Sequence, residues 1–112
     1  MAKTGADHLK SLKDGREVYL DGECVGDVTV HPAYRNAVAA ASALYDFQAA
    51  TENLELMTFE SPTSGARVNR AWQLPKTYDE LVVRRNAMAA WSELSGGWLG
   101  RSPDHIASSM AG

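Results

Sequence analysis

The sequence predicts a mainly helical domain with two small β-hairpins, and three observations point to it. Two long stretches, Pro32 to Ala50 and Tyr78 to Ser95, repeat their apolar residues at three and four positions, the period of an amphipathic helix. Asp21-Gly22 stands between two short alternating runs, a strong hairpin signal. A second turn cluster, Ser61-Pro62-Thr63-Ser64-Gly65, separates two further strand-like runs. At 112 residues, 45% hydrophobic and 22% charged, the chain has the balance of a folding protein and supports one domain, residues 1–112, with a modest core.

Thr4 is placed to cap a short helix over Gly5 to Lys13 that Asp14-Gly15 closes. Leu9 and Leu12 share one face, Lys10 and Lys13 point to water, and His8 is expected at the surface. Arg16 to Leu20 and Glu23 to Val25 form the first hairpin, because a type I′ turn needs positive φ at both central residues and Asp-Gly tolerates it. A two-stranded hairpin is marginal alone, so its apolar face must pack on helices of this chain or on something absent from it. Cys24 is expected there as a small, half-buried residue.

Pro32 fits the first turn of the second helix, with His31 near its cap. Tyr34, Val38, Ala41, Leu44 or Tyr45, and Gln48 form its inner face, Ala37, Ala39, Ala40 and Ala43 keep the remaining surface small, and Arg35 is solvated or paired with a carboxylate. Glu52 to Glu60 ends in strand-like alternation and returns as Arg67 to Trp72, the second hairpin. Thr77 and Glu80 have capping-box spacing ahead of the helix from Tyr78 to Ser95. Its stripe of Leu81, Met88 and Trp91 reads as core, and Arg84, Arg85, Asn86 and Glu93 as its polar side. Met110-Ala111-Gly112 ends with no helix stop beyond Gly112, so the chain is expected to continue.

Several function classes are disfavoured. The net charge is −3 and the 11 Lys and Arg are scattered, which speaks against a nucleic-acid partner. No run approaches the ~18 apolar residues of a membrane span, and Met1-Ala2-Lys3-Thr4 lacks the apolar run of a signal peptide, so a cytoplasmic location is expected. One cysteine permits no intrachain disulfide, and His8, His31 and His105 lack the spacing of a metal site. Phosphate-loop, G-x-G-x-x-G, H-E-x-x-H and G-x-S-x-G motifs are absent.

The stretch that invites chemistry is Gly97-Trp98-Leu99-Gly100-Arg101-Ser102-Pro103-Asp104-His105. Gly96, Gly97 and Gly100 let the backbone turn, and Ser102 before Pro103 reads as an N-cap with Pro at the first helical position. Arg101 then adjoins a helix N-terminus carrying roughly half a positive charge and unpaired N–H groups. Together they make either a capped helix start whose Arg101 is solvated or paired with a surface carboxylate, or an electropositive corner suited to an anionic or phenolic oxygen. His105, near the third residue of that helix, can turn back toward it.

The order and spacing of several short motifs add a resemblance. Thr4-Gly5-Ala6 with Leu9-Lys10-Ser11-Leu12, Asp14-Gly15-Arg16 with Val18-Tyr19, and Gly22-Glu23 through Asp27-Val28-Thr29 carry its first part. His31-Pro32 with Arg35-Asn36, Leu44-Tyr45-Asp46, and Gly97 with Gly100-Arg101-Ser102-Pro103-Asp104 complete it. Over nearly its whole length the chain resembles the N-terminal region of the oxygenase component in the 4-hydroxyphenylacetate 3-monooxygenase family of flavin-dependent phenol hydroxylases.

That resemblance implies the N-terminal helical domain of an acyl-CoA dehydrogenase-like flavoprotein, with the middle β-barrel and C-terminal helical domains absent here. It implies a two-component enzyme: a separate reductase supplies reduced FAD, and the oxygenase uses O₂ to hydroxylate a phenol ortho to its hydroxyl. A homo-oligomer, a dimer of dimers, is implied for the full-length protein, with the flavin held mainly by the other two domains, so that the 112 residues alone are expected to be inactive. The family sets an Arg and, four residues later, usually a Tyr beside the phenolic oxygen. Arg101 matches the Arg, and His105 stands at the Tyr position, a departure that keeps a hydrogen-bonding group but makes it titratable near neutrality. By the same resemblance the substrate-binding run is Arg101, Ser102, Pro103, Asp104 and His105. Two alternatives stay open: a non-catalytic assembly module derived from the domain, and the related 4-hydroxybutyryl-CoA dehydratase branch, whose N-terminal region usually lacks the Gly-Arg-Ser-Pro-Asp run.

Overall fold

The computed structural model describes residues 2–97 and 109–110. Its elements are α1 (Gly5–Ser11), β1 (Val18–Leu20), β2 (Glu23–Val25), α2 (Arg35–Ala49), α3 (Leu54–Met57), β3 (Thr58–Glu60), β4 (Arg67–Asn69), a 3-10 turn (Arg70–Trp72) and α4 (Tyr78–Leu94). The class is the expected one, mainly α with two separate two-stranded antiparallel hairpins. The backbone packs as two compact units, residues 3–47 and the remainder. Among the described residues no helix is long and apolar enough to cross a membrane.

In the first unit Thr4 caps α1 reciprocally: its hydroxyl accepts from the Asp7 N–H at 3.2 Å, and the Asp7 carboxylate accepts from the Thr4 N–H at 3.0 Å. The helix ends at Ser11 rather than Lys13, because the Leu12 and Lys13 N–H groups bond three residues back, to Leu9 and Lys10, and tighten the last turn. Gly5 meets α2 so closely that its N–H donates to Asp46 Oδ1 at 2.7 Å. Three residues on, His8 shares that inner face, and here the surface expectation is corrected. Its ring stacks on Tyr45 with centroids 4.6 Å apart, while Lys3 Nζ lies 5.0 Å from the other ring's centroid.

Burial first, and the Lys3 charge second, hold the His8 pKa below its ordinary 6.5. As pH falls through 6.5 the unfolded chain therefore binds a proton that the folded ring still refuses, and stability declines until the lower folded value is passed. Acidification from about pH 7 to 5 is expected to lower the melting temperature of wild type more than that of His8→Phe, which keeps the stacked ring without the proton. Parallel melting curves across that window would show that His8 titrates alike in both states.

The first hairpin turns at Asp21 and Gly22 with φ of 51° and 83°, the type I′ signature, and pairs Val18 with Val25, Tyr19 with Cys24 and Leu20 with Glu23. Val25 is buried. The strand period sends Cys24 the other way, beside the exposed Tyr19, so the half-buried expectation is wrong and Cys24 is exposed. Regular helix in α2 begins at Arg35, later than Pro32, after an opening turn that His31 organises. The His31 carbonyl accepts from Tyr34 and Arg35, and its Nδ1 accepts from the Ala33 N–H at 3.1 Å. The inner face is the expected one, with Tyr34, Val38, Ala41 and Tyr45 half-buried, while Arg35 is exposed.

The second unit is built around Met57, Thr58, Ala71, Ala87 and Trp91. The alternation foreseen over Glu52 to Glu60 is strand only from Thr58, a helical turn preceding it, and the returning strand stops at Asn69. There the Asn69 side chain accepts from the Ala71 N–H at 2.8 Å and donates to the buried Gln48 at 2.7 Å, which turns the chain into the 3-10 turn. Thr77 caps α4 by accepting from the Glu80 N–H at 3.2 Å, but Glu80 returns its carboxylate to the Lys76 N–H at 2.6 Å, one residue earlier than a capping box requires. Two assignments on α4 are corrected. The packed face runs through Glu80, Arg84, Ala87, Met88 and Trp91, so Arg84 lies inward, its guanidinium donating to the Ala71 carbonyl at 3.2 Å over a buried stem. Leu81, one helical step off that face, is half exposed.

Candidate functional site

The segment marked by the sequence follows α4, and the way α4 ends sets where that segment starts. Ser95 is the C-cap. The Gly97 N–H reaches back to the Ser92 carbonyl at 2.9 Å and the Gly96 N–H to the Glu93 carbonyl at 3.4 Å, the paired 6→1 and 5→2 bonds of a Schellman motif. Both glycines have positive φ, 63° and 87°. Upstream, buried Ala87 and Trp91 anchor the helix. Arg101, Ser102, Pro103, Asp104 and His105 lie outside the described residues.

Arg70 escaped sequence reasoning. Its guanidinium donates to three main-chain carbonyls, Glu55 and Thr58 at 2.6 Å and Leu56 at 2.7 Å, and to Gln73 Oε1 at 2.9 Å. These carbonyls are the loose C-terminal end of α3, where a cation satisfies unpaired acceptors. Burial and the neighbouring Arg67 charge lower the Arg70 pKa from its ordinary value. Local spacing carries no trace of this role, because the acceptors are main-chain groups 12 to 15 residues back.

Two clefts bear on ligand binding. In the second unit a space of about 460 Å³ lies among Phe59, Pro62, Trp72 and Leu74, edged by Glu60 and Glu80. In the first unit an apolar space of about 340 Å³ lies among Leu12, Val18, Val28, Tyr34 and Val38. Arg16 stands at the rim of that space with its guanidinium engaged by Asp14 at 2.6 and 2.7 Å. Among the described residues no group of three or more His, Cys, Asp or Glu is gathered that could hold a metal ion.

A family described as 4-hydroxyphenylacetate 3-hydroxylase N terminal matches residues 4–112, both compact units and the marked segment included. The chain belongs to this family. It is 47% identical over 106 residues to the oxygenase component of 4-hydroxyphenylacetate 3-monooxygenase from Geobacillus sp. (strain PA-9), covering 94% of this chain and 21% of that protein. A crystal structure of such an oxygenase component, complexed with FAD and 4-hydroxyphenylacetate, superposes with a TM-score of 0.84 at 36% identity, over 94% of this chain and 22% of that one. A 4-hydroxybutyryl-CoA dehydratase from N. maritimus is more distant, with a TM-score of 0.68 at 26% identity over 86% of this chain and 19% of that one. The chain thus spans about a fifth of the length of the relatives it matches.

Proposed function

We propose that the chain is the N-terminal domain of the oxygenase component of a two-component, FADH₂-dependent phenol monooxygenase that hydroxylates ortho to the phenolic hydroxyl. The observation that carries this is the family match over residues 4–112, which takes in the Gly100-Arg101-Ser102-Pro103-Asp104 run. Arg101 holds the substrate oxygen in polarised or anionic form through paired N–H donors. Ser102, Pro103, Asp104 and His105 complete the substrate-binding run of this reading. His105 donates to the same oxygen or takes its proton. The stronger match to the oxygenase component, in identity and in coverage, favours this reading over the dehydratase branch.

The described residues do not fit a flavin. The larger cleft sets two carboxylates, Glu60 and Glu80, against the single cation Lys76, a balance unsuited to a diphosphate, and Arg16 at the smaller one is already engaged by Asp14. FAD is assigned to other parts of the longer protein, and Trp72, Leu74 and Tyr78, each more than half exposed, are apolar surface for those parts to cover. A separate reductase, a dimer-of-dimers assembly and a cytoplasmic setting belong to the same reading. The 112 residues alone are expected to show no hydroxylation and no tight FAD affinity. Titration of the chain with FAD, followed by flavin fluorescence, checks this, and a micromolar or tighter dissociation constant would overturn the placement of the cofactor. Activity is tested in the full-length oxygenase, supplied with reductase, NADH, FAD and 4-hydroxyphenylacetate. Absence of any ortho-hydroxylated product across a panel of simple phenols would refute the reading.

A further inference from the structure

We propose that the cleft among Phe59, Pro62, Trp72 and Leu74 seats the polypeptide that follows residue 112 in the same longer chain, through a large apolar side chain with a Lys or Arg beside it. This rests on the reading of the 112 residues as the N-terminal domain of an oxygenase of which they span about a fifth. The chain that carries Trp72 and Leu74 is tied down on both sides. Arg70 pins it to the Glu55, Leu56 and Thr58 carbonyls and donates to Gln73 Oε1 at 2.9 Å. The Arg84 guanidinium donates to the Ala71 carbonyl at 3.2 Å, and the Lys76 N–H donates to Glu80 Oε2 at 2.6 Å. Trp72 and Leu74 nevertheless stay 51% and 62% exposed. Tyr78 and Leu81, three apart on α4, are 78% and 50% exposed. Large apolar side chains held open in water are favourable only once covered, and a segment ordered beforehand loses little entropy on docking.

Three observations choose the occupant. About four-fifths of each relative lies outside the match, and the matched family is an N-terminal one, so the polypeptide available to cover this face comes after it. Glu60 and Glu80 stand at the rim against the single cation Lys76, so the complementary group is a cation. A second copy docked face to face would set that excess of carboxylates against itself, because a two-fold interface pairs a patch with its own image. A partner that comes and goes fits less well, since surfaces this apolar belong to permanent contacts.

The test is made in the full-length oxygenase. Leu74→Cys places a thiol on the face, and its labelling by maleimide is followed by peptide mass spectrometry in native and in urea-unfolded protein. Native labelling is expected to be about 50-fold slower, because a covered thiol reacts only when the contact opens. Tyr78→Cys is the second position if Leu74→Cys does not fold. Glu60→Lys added to Leu74→Cys is expected to speed native labelling about 3-fold by setting like charges together. A benzophenone amino acid in place of Leu74, in a mixture of light and heavy-isotope chains, identifies the occupant. The expected photoproduct joins residue 74 to a peptide beyond residue 112 of the same chain.

Native labelling within about twofold of the unfolded rate would overturn the proposal. So would photoproducts that join two copies or reach the reductase, or a labelling rate indifferent to Glu60→Lys. Hydroxylation by the wild-type protein keeps the two readings apart. If it forms product while the Leu74→Cys thiol labels freely, this inference alone falls. If it forms none, the functional reading falls, and the labelling still decides the docking.

Discussion

Arg101→Ala in the full-length oxygenase is expected to lower hydroxylation roughly 30-fold to 1,000-fold, or about 2 to 4 kcal/mol of transition-state stabilisation. On the proposed reading the contact is charge-assisted and holds the phenolic oxygen in its anionic form, so its loss lowers the fraction of bound substrate present as the reactive phenolate. Arg101→Lys is expected to recover little. Guanidinium offers two parallel donors in a fixed plane, whereas ammonium is a point charge on a flexible stem. On the same reading the reductase half-reaction occurs on another protein and is expected to proceed unchanged, so NADH oxidised in the variant should appear as hydrogen peroxide in place of product. Product and peroxide formed per NADH measure this directly. If Arg101→Ala hydroxylates as fast and as tightly coupled as wild type, the assignment of Arg101 to the substrate site is wrong.

What could be read from the sequence was what local chemistry dictates. Asp21-Gly22 specifies its turn because few other pairs tolerate φ of 51° and 83° in succession, and Thr77 marks the start of α4 because only a side-chain acceptor there satisfies the Glu80 N–H. The inner face of α2 followed from periodicity alone. The misses are tertiary. His8 became half-buried because the close approach of Gly5 to Asp46 turns its face of α1 onto Tyr45, and Arg84 went inward because the Ala71 carbonyl offers its head group an acceptor. Arg70 was invisible for the same reason, its partners being carbonyls brought near by the second hairpin. The candidate site was legible as a motif and as a family resemblance. Ser102-Pro103 carries the local sequence signal for a helix start, and the run from Arg101 to His105 lies outside the described residues.

Gly5→Ala is expected to destabilise the fold by about 2 to 3 kcal/mol, against the usual sign of a glycine-to-alanine change in a helix. At an ordinary helical position alanine gains up to about 1 kcal/mol over glycine. At Gly5 the added Cβ would stand 2.5 Å from Asp46 Oδ2 and 2.6 Å from the Ser42 carbonyl oxygen. Asp46 can rotate away only by surrendering the bond it accepts from the Gly5 N–H, one of the donors that the start of α1 cannot satisfy internally. The Ser42 carbonyl is helix backbone and cannot rotate at all. Overpacking of this kind costs about 1 to 3 kcal/mol, and the lost hydrogen bond adds about 1, which together outweigh the propensity gain. Ala6→Gly, at the exposed next position, is the control and should lose only the ordinary propensity. Combining Gly5→Ala with Asp46→Ala should recover part of the loss, because the Ser42 carbonyl remains in the way. Urea unfolding of the 112-residue chain at constant m-value reads all three variants against wild type. A midpoint for Gly5→Ala at or above wild type would mean that α1 and α2 separate freely at this point, and that the close approach does not hold the first unit together.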